Sequence, residues 1–159
     1  MPILQSTAYI LSPDRDSVLM IHRNRDPEDV HYGRYLSVGG HIEPDENIVD
    51  GVLREISEES GLTVTSMRMR GSILWTGFGR EPRDYLCFMF LVDGYSGVAH
   101  AENEEGTLEW VRRSDLTTLP MWPSDHEWIP LIFDDDPRQF HGIMPFHNGE
   151  MVSFSYHRI

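Results

Sequence analysis

Apolar residues along the chain fall mainly into short runs typical of β-strands, separated by turn-forming clusters of Gly, Pro, Asn and Asp. These runs predict strands over residues 3–11, 17–22, 35–38, 63–78, 85–92 and 108–112. The first two are expected to form a hairpin around Ser12-Pro13-Asp14, and 63–78 to form one long strand or a broken one. Two last strands, near 138–146 and 150–157, meet at Asn148-Gly149, which is a hairpin turn signal.

Two segments have the pattern of helices. Residues 46–60 carry an apolar stripe that would pack on a sheet, formed by Ile48, Val49, Val52, Leu53 and Ile56. Asp45 is expected to cap the start of this helix, and Gly61 to end it in a left-handed conformation. A second helix is predicted over 124–133. Mostly strands with two helices indicate an α/β or α+β fold, expected to be a single domain over residues 1–159.

The first predicted helix concentrates negative charge. Glu55, Glu58 and Glu59 have offsets of 0, 3 and 4, which place them on one helix face. Like charges at this spacing repel, and a hard divalent cation with oxygen ligands would remove that cost. The alternative is a solvated acidic helix face.

Gly51 is unusual because a glycine inside a helix costs about 1 kcal/mol relative to alanine. It lies one turn before Glu55, on the acidic face. Either a side chain there would crowd a metal ion or phosphates, or the glycine is a flaw that packing tolerates; the sequence leaves both interpretations open.

Composition narrows the class of partner. The net charge of −13 argues against binding a nucleic-acid polymer, but not against a free nucleotide carried with metal ions. All thirteen basic residues other than histidine are arginine, so cationic phosphate contacts must come from Arg or partly from His. One cysteine, Cys87, and the lack of a signal peptide or membrane-spanning run lead us to expect a cytoplasmic protein with no membrane contact.

The stretch from Gly40 to Leu62 resembles the Nudix box. Its defining positions are Gly40, Glu46, Arg54, Glu55, Ile56, Glu58, Glu59, Gly61 and Leu62. Nudix hydrolases cleave nucleoside diphosphates linked to another group. The resemblance implies an α/β/α sandwich with a mixed central sheet, and binding of Mg²⁺, for which Mn²⁺ may substitute.

The resemblance also assigns roles within the box. It implies that the Gly40 carbonyl and the carboxylates of Glu55, Glu58 and Glu59 bind metal. Arg54 is expected to point away from the centre of these carboxylates and to pair with Glu46.

A further carboxylate is expected from the acidic loop over residues 94–106. Glu105 lies five residues before Trp110, as in the oxidised-purine triphosphatases of this family, and is the candidate for an additional metal ligand or base. The alternative is a solvated acidic loop. With these residues, a MutT-like reaction would release a nucleoside monophosphate and pyrophosphate; the sequence does not decide which phosphorus is attacked.

The C-terminal part is similar to the oxidised-purine nucleoside triphosphatases. By that resemblance Trp122 stacks on a purine and Asp125 reads its edge, whereas Trp128 is expected in the core. Ser124 stands where those proteins have a first acid, and Leu36 where they have a base-contacting asparagine. These two departures predict weaker discrimination between oxidised and normal guanine than in those proteins. Arg23, Leu36 and His41 complete the candidate substrate contacts.

Two other functions stay open. The substrate could be another diphosphate, such as a nucleotide sugar or a dinucleoside polyphosphate. ADP-ribose is disfavoured because Gly77 stands where members that cleave it tend to have a proline, and the coenzyme A motif is not evident. A non-catalytic nucleotide-sensing module is disfavoured because every box carboxylate is retained.

Overall fold

The computed structural model describes residues 1–159. Its strands are β1 (Ile3–Ile10), β2 (Ser17–His22), β3 (Tyr35–Leu36), β4 (Val38–His41), β5 (Thr63–Phe78), β6 (Arg83–Ser96), β7 (Thr107–Arg112), β8 (Phe140–His147), β9 (Glu150–Met151) and β10 (Ser155–Arg158). The helices are α1 (Ile48–Ser60) and α2 (Asp125–Phe133), with a 3₁₀ segment over Arg113–Thr118.

A large mixed sheet forms the centre of the fold. Its strand order is β10-β8-β5-β6-β1-β4, with β9 paired to β8, and a second sheet has the order β3-β2-β7. β1 runs parallel to β6 and β5 parallel to β8, whereas the other pairs are antiparallel. The predicted mixed sheet is confirmed.

The C-terminal part of β1 is buried on both faces, which explains why Ala8, Tyr9 and Ile10 form a continuous apolar run. Ala8 and Ile10 belong to a cluster that includes the apolar face of α1. Tyr9 and Leu11 point the other way, into a cluster that includes α2. The fold is therefore a sheet with helices on opposite faces, as predicted.

The predicted hairpin between the first two strands is wrong. A turn forms at Ser12, whose N–H donates to the Ser17 carbonyl at 2.9 Å. Only one bridge follows, between Leu11 and Val18, before β1 and β2 enter different sheets. Because the parts of both strands next to the turn are apolar and buried on both faces, each can be buried between other partners, and the short turn does not impose their pairing.

The other strand predictions are largely confirmed. β5 is one long strand with bulges rather than a broken one. The segment predicted over 35–38 divides into β3 and β4, which belong to different sheets. Asn148 and Gly149 have positive φ and close the predicted β8–β9 hairpin, although β9 ends after two residues and β10 pairs with β8 instead.

The start of α1 differs from the prediction. The N-cap is Asn47, whose Oδ1 accepts from the Val49 N–H at 2.8 Å. Asp45 has a left-handed conformation (φ 62°) outside the helix and is not the cap. At the other end, Gly61 has the predicted left-handed conformation, with φ 76°. Asn and Asp both suit caps and left-handed turns, so the sequence alone did not distinguish them.

No helix of the protein is both long enough and apolar enough to cross a membrane.

Removing the Asn47 side chain should measure how much this N-cap contributes to the stability of the protein. We expect Asn47→Ala to lower the free energy of unfolding by about 1 kcal/mol, because one helix N–H loses its acceptor. Asp45→Gly is the control and should leave stability unchanged or slightly higher, since glycine tolerates the positive φ. Urea unfolding of the two variants tests this; equal stability of Asn47→Ala and wild type would contradict the assignment.

Candidate active site

One cleft, with a volume of about 580 Å³, opens beside β1 and β4. It brings together most of the residues predicted for the site. These are Arg23, Leu36, Gly40, His41, Glu55, Glu59, Glu105, Trp122 and Asp125. Arg54 and Glu58 do not line it. Residues separated by up to a hundred positions thus share one surface.

Three of these residues form an acidic cluster, consisting of Glu55, Glu59 and Glu105. α1 supplies the first two, and the loop before β7 supplies the third. Glu59 accepts from the Gly39 N–H at 3.0 Å, and Glu105 faces Arg23, whose Nη1 lies 3.1 Å from its Oε2.

At Gly40, β4 passes close to the carboxylate of Glu55. A Cβ atom at this position would lie only 2.6–2.7 Å from the carboxylate atoms of Glu55. Any side chain would therefore displace Glu55, so Gly40 and Glu55 form one unit of the cleft.

The acidic cluster is electrostatically costly. Burial, followed by the charges of Glu105 and Glu55, raises the pKa of Glu59 to about 9 against the opposing hydrogen bond from Gly39. Burial also raises the pKa of Glu105, which the neighbouring Arg23 partly offsets. A cation placed among these groups would reverse both effects.

Arg54 joins α1 to the loop that precedes it. Its guanidinium donates to both Glu46 oxygens, at 2.7 and 3.0 Å, as predicted, and to the His41 carbonyl at 3.1 Å. Hydrogen bonding from Arg54 to the Glu46 carboxylate lowers the pKa of Glu46 to about 2. The expectation that Arg54 points away from the carboxylates is wrong, because its Nη1 contacts Glu55 at 2.8 Å and Glu58 at 3.2 Å. Five donors on one planar group allow it to serve both sides.

Gly51 makes room for this ion pair. A Cβ atom there would lie 3.0 Å from Glu46 Oε2 and 3.5 Å from Ile42 Cγ1. Gly51 does not line the cleft, and the atom nearest to such a Cβ belongs to Glu46, so the geometry favours neither the crowding of a metal ion or phosphates nor a merely tolerated flaw. The glycine accommodates the partner of Arg54.

The remaining box carboxylate, Glu58, lies apart from the cleft. Its side chain is 60% exposed, against 14% for Glu55. Residues on one helix face can thus differ greatly in how much of the side chain is exposed.

Aromatic side chains form another part of the cleft, here called the aromatic wall. It consists of Trp75, Phe78, Tyr85, Trp122 and Phe146. Phe78 is its centre, because it contacts each of the other four rings at centroid distances of 4.9–6.5 Å. Phe78 carries no motif, and only its place near the end of a strand hints at such a role.

Trp122 is held by residues of the β2–β3 loop. Its Nε1 donates to His31 Nδ1 at 2.9 Å, and the Arg34 guanidinium lies 3.8 Å above its ring centroid. Arg34 is not part of the cleft lining, whereas His31 is.

Asp125, Ser6 and Trp128 also line the cleft beside this wall. Burial raises the pKa of Asp125 to about 7. Ser6 Oγ and Trp128 Nε1 are buried without any hydrogen-bond partner, although buried polar atoms rarely lack one. Trp128 is 4% exposed and packs against Tyr9, so its expected core position is consistent with the structure.

Comparison with known proteins identifies the family. The model of the NUDIX domain matches residues 3–132, which is most of the chain. The chain belongs to the Nudix family. An oxidized purine nucleoside triphosphate hydrolase of Mus musculus is 30% identical over 120 residues, covering 76% of this chain and 74% of the mouse protein. An uncharacterized Nudix hydrolase of Bacillus subtilis, YvcI, is 29% identical over 127 residues, covering 79% and 77%.

Solved structures agree on the Nudix fold. A MutT protein from Bacillus halodurans superposes with a TM-score of 0.82 at 23% identity, covering 97% of each chain. The family match and the relatives named as hydrolases make the protein a Nudix hydrolase, that is, a nucleotide pyrophosphohydrolase, with the fold of the MutT protein.

Nudix hydrolases generally use a divalent metal ion, and the chemistry of this donor set fits one. The carboxylates and backbone carbonyls near α1 are the oxygen ligands that hard cations prefer. The present positions are not those of a formed site, since no three acidic, His or Cys side chains are close enough to hold an ion. Arg54 contacts one oxygen each of Glu55 and Glu58, and Arg23 contacts one oxygen of Glu105, so an ion would share these carboxylates with arginine.

The raised pKa of Glu59 predicts how stability depends on pH. Between the ordinary value of 4.5 and about 9, the folded protein keeps a proton that the unfolded chain has lost. We therefore expect the free energy of unfolding of metal-free protein to fall as pH rises through this range. Urea unfolding in chelator should show a smaller fall for Glu59→Gln.

Metal and a surface variant provide the controls. Millimolar Mg²⁺ or Mn²⁺ should raise the melting temperature of wild type, because it binds only the native state. Glu81→Gln changes an exposed carboxylate and should behave like wild type. If the stability of Glu59→Gln and of wild type depended on pH in the same way, the raised pKa of Glu59 would be refuted.

Proposed function

We propose that this Nudix hydrolase is a Mg²⁺-dependent nucleoside triphosphate pyrophosphohydrolase that acts on purine nucleotides, including oxidised ones, and releases a nucleoside monophosphate and pyrophosphate. The observation that supports it best is the single cleft that contains both the acidic cluster and the aromatic wall. A polyphosphate with metal suits the first, and a flat heteroaromatic base suits the second.

The box residues would hold the ion. In this proposal the Gly40 carbonyl and the carboxylates of Glu55, Glu58, Glu59 and Glu105 bind Mg²⁺, or Mn²⁺ in its place. When bound, the ion neutralises charge on the phosphoryl oxygens and helps to deprotonate a water molecule. A carboxylate of the acidic cluster accepts the proton of that water. Arg54 fixes α1 on the Gly40 strand through Glu46 and the His41 carbonyl, and so sets the distance between donors.

The base would lie on Trp122. Arg34 covers one side of the indole and is not part of the cleft lining, so the opposite side faces the ligand. Asp125, with a pKa of about 7, can accept or donate a hydrogen bond near neutral pH.

Two residues favour broad purine recognition. Leu36 lines the cleft and has no hydrogen-bonding side chain, and Ser124 is buried where an acid would read the base. Discrimination between oxidised and normal guanine then depends mainly on Asp125. Arg23 and His41 are the proposed phosphate contacts, because both line the cleft beside the acidic cluster.

A second candidate is hydrolysis of another nucleoside diphosphate derivative. An ADP-ribose pyrophosphatase of Methanocaldococcus jannaschii is 30% identical over 115 residues, covering 72% of this chain and 63% of that protein. A screen of triphosphates, nucleotide sugars and dinucleoside polyphosphates with Mg²⁺ separates the two. Pyrophosphate release from purine triphosphates supports the first proposal; activity on diphosphate-linked compounds alone rejects it.

Neutralising a box carboxylate should stop the reaction without unfolding the protein. We expect Glu58→Gln and Glu59→Gln each to lose most hydrolysis, because each removes a charged metal ligand. Their circular dichroism should match wild type, and Glu81→Gln should stay fully active. Activity within a few-fold of wild type would remove that residue from the proposed ligand set.

Truncating the Trp122 side chain should affect substrate binding more than the chemical step. Stacking is worth about 1–3 kcal/mol per base, so Trp122→Ala should raise KM for purine triphosphates roughly 5- to 150-fold. kcat should change little, because the stack is equal in ground and transition states. Steady-state kinetics with 8-oxo-dGTP, dGTP, dATP and dCTP test this, and Asp125→Ala should change the order of purine preference. An unchanged KM for all purines would place the base site elsewhere.

A further inference from the structure

The loop between β2 and β3, residues 23–34, is organised by one carboxylate. Asp29 accepts from Arg23 Nε at 2.8 Å and from the His31 N–H at 3.1 Å. Backbone bonds close the same loop, including Gly33 N–H to the Arg23 carbonyl at 2.6 Å. The position of His31 is therefore fixed from within the loop.

The bond between His31 and Trp122 has only one possible direction. An indole N–H can only donate, so His31 Nδ1 is the acceptor, and the proton of the neutral ring lies on Nε2. The two rings are nearly perpendicular, at 85° and 5.8 Å, which is the geometry of an in-plane N–H bond to the imidazole edge. Arg34, from the same loop, lies over the indole and donates to the Met121 carbonyl at 3.0 Å.

These contacts restrict Trp122 in two ways. The His31 bond prevents the indole from rotating in its own plane, and Arg34 blocks movement away from the cleft. Trp122 lies 91 positions from His31, so the contact leaves no trace in any local sequence pattern.

We propose that His31 is a positioning residue for the base of the substrate, acting through the indole of Trp122. The inference rests on the proposed role of Trp122 as the stacking platform. The Nδ1 acceptor holds the indole ring of Trp122 in the plane on which a base would stack. The ring is therefore ordered before the substrate binds, and binding does not lose the entropy of ordering it.

Two substitutions at His31 separate the acceptor from simple packing. His31→Asn keeps the acceptor, because the amide oxygen of asparagine would lie near the position of Nδ1, whereas His31→Leu fills similar space without one. We expect His31→Leu to raise KM for purine triphosphates about 2- to 12-fold, the equivalent of one neutral hydrogen bond, with kcat unchanged. His31→Asn should stay within about 2-fold of wild type. His157→Leu, at an exposed position on β10, is the matched control.

Trp122→Phe tests the same bond from its other partner. Phenylalanine keeps an aromatic face but has no N–H, so the variant should show a raised KM, and adding His31→Leu to it should change nothing further. This variant also serves if His31→Leu fails to fold. Equal KM values for Trp122→Phe and wild type, equal impairment by His31→Asn and His31→Leu, or a loss confined to kcat would each overturn the proposal.

A measurement without substrate keeps this inference distinct from the proposed function. In ¹⁵N-labelled protein, the Trp122 Nε1–H resonance, assigned by its loss in Trp122→Phe, should shift and exchange faster in His31→Leu but not in His31→Asn. An unchanged resonance in His31→Leu would show that the bond is absent. If the resonance responds as expected but Trp122→Ala leaves KM unchanged, the stacking platform is refuted and His31 with it.

Discussion

The burial of Glu59 beside two further carboxylates, Glu55 and Glu105, is the constraint around which the functional site is organised. Glu55 and Glu59 are rigidly spaced by α1, and Glu105 approaches them from a loop. Without a cation the cost appears as the raised pKa of Glu59, and it is limited by Arg54 on one side and Arg23 on the other. A fold that keeps such a cluster requires strong support elsewhere, and two apolar cores on opposite faces of the sheet provide it.

Small residues near the cluster follow from the same constraint. Gly40 allows β4 to pass within van der Waals distance of Glu55, and Gly51 leaves space for the carboxylate of Glu46 beside α1. Glycine destabilises the strand or helix that contains it. These two glycines nevertheless leave room for Glu55 and Glu46, the two carboxylates that accept hydrogen bonds from Arg54. Local stability is thus given up where the site needs close approach, a common arrangement at functional sites.

The sequence predicted local chemistry better than long-range contacts. The shared face of the α1 carboxylates and the Gly61 end of the helix depend on spacings of a few residues, so helix geometry alone sets them. The Arg54–Glu46 pair was expected from the resemblance to the Nudix box, since Glu46 precedes α1 and lies eight residues from Arg54. The failed hairpin between β1 and β2 had the opposite cause: pairing of strands depends on distant partners that no local turn specifies. Distant parts of the chain likewise determine three other features. These are the exposure of Glu58, the space beside Gly51 and the hydrogen bond between Trp122 and His31.

The two parts of the cleft have different structural supports. Two members of the acidic cluster lie on α1 and are fixed by a helix packed on the central sheet, so their spacing cannot change without moving the core. Trp122 precedes α2 and is held by hydrogen bonds and a cation–π contact from the β2–β3 loop, while Phe78 supports it from the end of β5. Loops tolerate substitution and insertion far better than core elements. Residues of the proposed base site can therefore vary while the proposed hydrolytic residues stay in place, and this separation would allow one framework to act on different nucleotides.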